Sequence, residues 1–510
     1  MNRTVRTWWR PTTGFFLVFW VGLMWAGRSK MLRDPGTLWH TVVGQRILER
    51  GELPRTDPFS FTQAGQSWIA QQWLGECAMA VIHRVSGLDG LMLATVTLLS
   101  GVFAFLGGRL LRSGLPWPAA AMLLVLFFGA SSYHFFPRPH LVTILLLTFT
   151  VALLSDVEAG RARARRLLWL PPIMVLWTNV HGGALGGLAT LFLVLMSWLL
   201  RPRDLRRVRN DPRATASPVL IATALGLSCL AVLVNPYGPA LPRVWISLMN
   251  SKLLPRLILE HAPPNPLTVE GGMLLALAVV YLVTLAAAWR RGVRVVWLVP
   301  LVWLVMAWSR IRHGPLFAVT AAVAIADMLP HTRLPAWFAR RAGPRVPIAS
   351  SSGGPGWRAA AIPVLLVLVA AGLQASGIRC PIIGANWCRL DPAYWPIEAT
   401  AALRREMDEH PAELRVFNDM RFGGYLIYRA DRARVYIDDR CELYREPGLR
   451  RYVDLRRHPA LVEGAAAYDD IALALVHTRS PVARYLDGSP TWTRLHRDAT
   501  ASVYRRITQD

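Results

Sequence analysis

The chain has 510 residues, 53% of them hydrophobic and 21 of them tryptophan, with a mean hydropathy of +0.31. A soluble domain of this length does not carry that apolar load, so the composition specifies an integral membrane protein. The net charge of +25 rests on arginines clustered in short segments between apolar runs. That is the bias of membrane topology, and it excludes a nucleic-acid-binding face.

In chain order, apolar runs of spanning length or nearly so fall at 13–29, 89–110, 117–135, 140–155, 166–181, 183–200, 217–235, 271–288, 295–310, 314–329 and 358–376. This gives a polytopic α-helical membrane protein with about eleven spans by the ~20-residue criterion. The first thirty residues have a basic start and an apolar run, but Met24-Trp25-Ala26 is a poor cleavage site, which predicts an uncleaved anchor. With the N-terminus cytoplasmic, the arginine-rich loops around Arg109, Arg161, Arg201, Arg290 and Arg333 all fall inside. The polar first loop (30–88), the histidine-bearing turns near residues 134, 181 and 313, and the polar C-terminus then all share the outside.

The first loop carries two Asp-Pro pairs, Asp34-Pro35 and Asp57-Pro58, together with His40 and Glu76. Asp before Pro caps helices and fixes turns as readily as it does acid–base chemistry, and the sequence leaves both readings open. Leu74, Ala78, Val81 and Val85, and later Leu241, Val244, Trp245 and Leu248, recur at helical spacing as stripes suited to the headgroup layer or to the protein's own helices. A proline-, arginine- and glycine-rich linker is predicted over 330–357.

The membrane domain is placed at 1–378 and an extracytoplasmic α/β domain at 379–510. The latter is predicted to hold a helix from Pro396 to Glu409 and strands at 414–417, 433–437, 471–476, 492–495 and 502–507. The Phe422-Gly423-Gly424-Tyr425 segment reads as a glycine-initiated turn into a helix or strand. Asp438, Asp439 and Arg440 read as an ion-pair network or a binding edge. Cys380 and Cys388 are spaced to close a small loop in an oxidising compartment, bridged or free.

If the outside motifs converge, carboxylates from Asp34, Asp57 and Glu76 meet imidazoles from His40, His140, His181 and His313 and guanidinium groups from Arg138 and Arg312. A carboxylate can deprotonate an acceptor hydroxyl while arginine and histidine stabilise a phosphate leaving group, a combination suited to transfer from a phosphate-linked donor. No HExxH, Walker or dinucleotide motif occurs, so no cofactor is indicated; scattered His and Asp leave a divalent metal open.

The first-loop pattern Asp34-Pro35, Leu38-Trp39-His40, Pro54-Arg55-Thr56-Asp57-Pro58-Phe59-Ser60 and Trp68 resembles the GT-C glycosyltransferase superfamily. So do Trp177-Thr178-Asn179-Val180-His181-Gly182, Phe422-Gly423-Gly424-Tyr425 and Ile437-Asp438-Asp439-Arg440. The similarity is greatest to the protein O-mannosyltransferase-like and aminoarabinose-transferase-like branch. That resemblance implies a bacterial inner-membrane enzyme using a polyprenyl-phosphate-linked sugar donor, an extracytoplasmic acceptor, membrane lipids as surroundings, and a first-loop acid as base. The role falls on Asp34, with Asp57 second. Where relatives carry two adjacent acidic residues, Asp34 is followed by proline. A lipid-linked oligosaccharide ligase or polymerase, a transporter or flippase, and a catalytically silent assembly protein are the competing classes.

Overall fold

The computed structural model describes residues 10–201, 217–250, 254, 258–342, 357–410 and 412–507. Two apolar helices open the chain at right angles. Helix α1 (Pro11–Lys30) is apolar, and α2 (Pro35–Arg50) turns 91° away from it. The corner is set locally: the Asp34 carboxylate accepts from the Thr37 amide at 2.8 Å, Pro35 opens α2, and Gly51 closes it at φ +67°. Helix α3 (Trp73–Arg112) runs 40 residues with a break at Ser86–Gly87, where Gly87 has φ +59°. Its first part carries the stripe Ala78, Val81 and Val85 on an exposed face.

The remaining apolar helices are α4 (Trp117–Ser131), α5 (His140–Glu158), α6 (Leu170–Val180), α7 (Ala184–Leu200), α8 (Pro218–Ala231), α9 (Ala240–Asn250), α10 (Val269–Trp289), α11 (Val299–Ser309) and α12 (Gly314–Met328), followed by α13 (Leu334–Ala342) and α14 (Trp357–Ala375). Every residue of α12 is buried. A helix apolar all round belongs inside other helices, and α12 is the hub of the bundle.

Among the described residues four helices are long and apolar enough to cross a membrane, or five if α1 and α2 count as one bent span. The difference from about eleven has a local cause. Several predicted runs are split into a 3-10 turn and a short helix, such as Ala164–Trp169 before α6 and Val295–Leu298 before α11, with prolines at the junctions.

Three of the arginine-bearing segments, around Arg109, Arg161 and Arg294, meet at one end of the bundle. Arg109 holds Asp156 through two bonds of 3.0 and 2.9 Å, Arg161 joins Asp156 to Asp327, and Arg294 and Trp297 each reach Asp327 at 2.6 Å. Glu158 accepts from the amides of Val295 and Val296.

The C-terminal region folds around α15 (Ile397–Asp408), β1 (Leu414–Asn418), α16 (Met420–Arg429), β2 (Ala433–Val435), α17 (Cys441–Arg457), α18 (Leu461–Tyr468), β3 (Leu473–His477), α19 (Pro481–Gly488), β4 (Trp492–Arg497) and β5 (Ala501–Arg506). The sheet order is β2-β1-β3-β5-β4, with β2, β1 and β3 parallel and β5 and β4 antiparallel. The Phe422–Tyr425 segment lies inside α16. Its glycines serve close approach: a Cβ on Gly424 would strike the Pro35 carbonyl, and one on Gly423 the Ile437 carbonyl.

The first loop shares its core with this domain. Trp39, Phe59 and Trp68 are buried with Phe417, Val435 and Tyr444, and the Phe59–Phe61 backbone exchanges hydrogen bonds with Val435 at 3.1 and 3.2 Å. Loop 30–88 and the described residues between 379 and 507 therefore pack together. Cys380 and Cys388 are unbridged; the loop they flank is tied down instead by Asp89, which accepts from the amides of Asn386 and Cys388, each at 2.7 Å. The predicted linker lies outside the described residues over 343–356.

Candidate functional site

The corner between α1 and α2 sets Asp34 beside the turn that precedes α5. There Pro137-Arg138-Pro139 is held by an Arg138 amide bond to the Phe136 carbonyl at 2.8 Å. The Arg138 guanidinium meets three carboxylates: Nε lies 2.6 Å from Asp34 Oδ2, Nη1 3.3 Å from Glu260 Oε1 and Nη2 2.6 Å from Asp439 Oδ2. Trp39 Nε1 donates to the other Asp439 oxygen at 2.7 Å. Three negative groups thus surround one positive group in a largely buried site. A Cβ on Gly36 would overlap the guanidinium, so only glycine at the first turn of α2 admits Arg138.

Burial sets the electrostatics here and Arg138 opposes it. Burial raises Asp34 above the usual carboxylate range against the pull of Arg138, and the nearby Glu260 charge adds to the rise. Burial likewise pushes Asp439 up to about 7, with Arg138 opposing and Asp34 reinforcing. At Glu260 burial is outweighed by the guanidinium groups of Arg138 and Arg312, which hold it below its ordinary value. Among the described residues the bonds to Asp34 use Oδ2, and the residue lines a cavity.

Two cavities flank this cluster. The first, about 630 Å³, lies between α5, α7, α9 and α11 and is lined by His134, His140, His181, His261, His313, Arg310 and Arg312. Its walls are apolar, including Leu185, Ala189, Leu193, Val302 and Met306. The second, about 750 Å³, is lined by Asp34, Glu260, Asp439, aromatic residues and the C-terminal end of α1. Successive residues face opposite ways: His134 and His261 line the first cavity, Phe135 and Glu260 the second.

In the first cavity, Arg312 Nη1 lies 2.6 Å and Arg310 Nη1 3.1 Å from the two ring nitrogens of His261. Burial and Arg312 take His261 down to about 3, so the ring is neutral and accepts on one nitrogen only. One contact therefore sets donor against donor. Among the described residues the buried Nδ1 atoms of His134 and His140 have no hydrogen-bond partner, although Glu260 Oε2 lies 3.9 Å from that of His134, while His140 Nε2 donates to the His134 carbonyl at 2.8 Å. His181 Nδ1 accepts from the Gly183 amide at 2.9 Å and meets Thr143 Oγ1 at 2.8 Å, which fixes the neutral proton on Nε2. Gly182, Gly186 and Gly187 admit the indoles of Trp245, Trp303 and Trp177.

Of the residues singled out from sequence, Asp34 and Arg138 meet in the carboxylate cluster, and His140, His181, Arg312 and His313 meet in the first cavity. His40 and Glu76 bond each other at 2.7 Å, with the His40 ring tilted against Trp39 at 3.6 Å between centroids, and line neither cavity. Asp57 lies elsewhere, 2.7 Å from Arg440 Nη1, and accepts from the amides of Phe59 and Ser60. Arg440 in turn grips Asp438 through bonds of 2.9 and 2.6 Å. Glu260 and His261 are additions from the structure, and their only sequence signal was a charged pair in a largely apolar stretch. Asp439, read from sequence as part of an ion-pair network or binding edge, and His134 and Arg310, in the outside turns, join the site through the structure. Glu398, His496 and Asp498 bring ligand atoms within 4.8 Å on the domain surface, away from both cavities. A cation at the main cluster would have to take its carboxylates from Arg138.

The chain combines spanning-length apolar helices, an α/β domain packed on them and a charged site where they meet. No protein-family model matches the sequence, and no curated protein matches it significantly. Solved structures do: the oligosaccharyltransferase of Archaeoglobus fulgidus in its apo form aligns with TM-score 0.55 at 12% identity, over 89% of this chain and 67% of that one. The same oligosaccharyltransferase tethered through a disulfide to an acceptor peptide with the NVT sequon aligns with TM-score 0.52 at 11% identity, over 89% and 66%. At these identities the likeness is one of fold. This chain spans about two thirds of the length of those it matches.

Proposed function

We propose that this chain is a membrane glycosyltransferase that moves a sugar from a polyprenyl-phosphate-linked donor to an extracytoplasmic acceptor, with inversion at the anomeric carbon. The observation that carries this reading is the carboxylate–Arg138 cluster in the wall between a basic, apolar-sided cavity and a second cavity. A polyprenyl chain suits the apolar wall of α7 and α11. Its phosphate suits Arg310 and Arg312, and an anion between these and His261 relieves the donor-against-donor contact. The oligosaccharyltransferase fold supports the same class of chemistry, and the meeting of the arginine-rich segments at one bundle end supports an outward-facing site.

The acceptor oxygen attacks the anomeric carbon and its proton passes to Asp34 Oδ1. The bond from that carbon to the donor phosphate breaks, and the electron pair leaves on the phosphate, stabilised by Arg310 and Arg312. Arg138 holds the Asp34 carboxylate in place and limits how far burial raises it. Asp57, saturated by Arg440 and backbone amides, belongs to the scaffold.

A strain lacking this protein is expected to accumulate one polyprenyl-phosphate-linked glycan, seen by mass spectrometry of extracted lipids; unchanged lipids would overturn the reading. The same chemistry fixes a pH dependence. Asp34 must be ionised to accept a proton, so the rate falls as pH drops through its raised pKa. Removing the Glu260 charge, which favours the protonated form, lowers that pKa. In a pH–rate profile, Glu260→Gln is therefore expected to move the acid limb to lower pH.

A further inference from the structure

Carboxylates drawn from separate elements onto one point are a usual means of holding a hard divalent cation. This chain draws in three: Asp34 from the corner before α2, Glu260 from a turn before α10 and Asp439 from the segment after β2. Where they converge stands the Arg138 guanidinium, bonded to Asp34 through Nε at 2.6 Å, to Glu260 through Nη1 at 3.3 Å and to Asp439 through Nη2 at 2.6 Å. Each carboxylate takes a different nitrogen, so the planar fork holds the acids apart along its edges.

That spacing does not suit a metal. Oxygen ligands lie about 2.0–2.6 Å from Mg²⁺ or Ca²⁺ and so must come within roughly 5 Å of one another. Among the described residues the group of three possible ligands that meets such spacing is Glu398, His496 and Asp498, within 4.8 Å; the acids around Arg138 do not form one. Acid is not scarce, since the second cavity is lined by Glu270 as well as by Asp34, Glu260 and Asp439. Arg138 bonds the last three and not Glu270. What the guanidinium takes is the point at which those three meet.

Arg138 is also built into that point. Pro137 and Pro139 restrict the backbone on either side, the Arg138 amide donates to the Phe136 carbonyl at 2.8 Å, and Gly36 leaves open the space that any Cβ would share with the guanidinium. A side chain held by its own turn and by a slot in the facing helix is not a surface arginine that swings aside for an incoming ion.

We infer that Arg138 is the resident cation of this cluster, standing where a divalent ion would have to bind, so that the three carboxylates take no metal and transfer proceeds without one. Arg138 is a positioning residue in this role, acting through Asp34. The inference goes beyond the glycosyltransferase reading, because cation binding is measured without any substrate.

The test uses the full chain in phosphatidylcholine vesicles, with Glu398→Gln present throughout to disable the separate Glu398, His496 and Asp498 group. Mn²⁺, an ion suited to oxygen ligands, is titrated and the free ion is read by electron paramagnetic resonance, with the thermal midpoint alongside. The parent is expected to bind no Mn²⁺ more tightly than about 1 mM. Arg138→Ala leaves three acids facing one another without their partner. It is expected to take up about one equivalent of Mn²⁺ at least about tenfold more tightly, with a midpoint that rises as Mn²⁺ is added, and to lose that binding when Glu260→Gln is introduced as well. If the alanine variant does not fold, Arg138→Gln replaces it. In the transfer assay the parent is expected to keep its rate in EDTA. Mn²⁺ that binds the parent and is lost with Glu260→Gln, or transfer stopped by EDTA and restored by Mg²⁺ or Mn²⁺, overturns the inference, whether or not the variants fold. A folded Arg138→Ala that takes up no Mn²⁺ overturns the assignment of Arg138 to a cation's place. A parent that transfers nothing from lipid-linked donors overturns the glycosyltransferase reading and leaves the Mn²⁺ result standing.

Discussion

Asp34→Asn is expected to lower the transfer rate by about two to four orders of magnitude, the range contributed by a positioned general base. The substitution is informative because it separates the two jobs of this residue. As the N-cap of α2, Asp34 accepts from the Thr37 amide, and asparagine caps a helix about as well as aspartate. The corner between α1 and α2 should therefore survive. What is lost is the charge that accepts a proton and pairs with Arg138 at 2.6 Å. The measurement is kcat in vesicles with the donor that accumulates in the deletion strain, alongside the thermal midpoint. A variant that keeps its midpoint and most of its kcat removes Asp34 from the chemistry.

Arg440→Met is expected to cost about 3–5 kcal/mol of stability, the usual consequence of leaving buried charges without their partner. Arg440, Asp57 and Asp438 all have side chains at 0% exposure, and the guanidinium lies 4.9 Å from the Trp68 ring and 5.1 Å from the Phe59 ring. Without it two carboxylates face each other in an apolar surround. The triad joins the first loop to the α/β domain, so the loss should appear as a lower thermal midpoint and early proteolysis within 51–72. Asp57→Asn should destabilise less, because Asp438 still neutralises Arg440. It should retain transfer per folded molecule. Loss of transfer with an intact fold would restore Asp57 as a candidate base.

These two residues mark where reading the chain in order stops being enough. Asp34 and Asp57 look alike in sequence, each an aspartate before proline in a polar loop. Local chemistry gives both the same capping behaviour, as found at the Thr37 and Ser60 amides. Their fates diverge only through partners far along the chain: Arg138 for one, and Arg440, 383 residues away, for the other.

What the sequence by itself determined was everything periodic or compositional. Hydropathy marks the apolar helices, arginine clustering marks the bundle end where Arg109, Arg161 and Arg294 meet, and short apolar, strand-prone runs mark all five strands, from Leu414 to Arg506. These signals are local, and each residue carries its own share. Tertiary structure decided which charges face which cavity. Asp438 and Asp439 are neighbours, yet one is spent on Arg440 and the other reaches Arg138 across 301 residues. Glu260 and His261, neighbours in a 3-10 turn, likewise divide between the two cavities. Partnerships over such distances depend on how the domain docks on the bundle, through Gly36, Gly424 and the Trp39–Asp439 bond, and no local pattern encodes that.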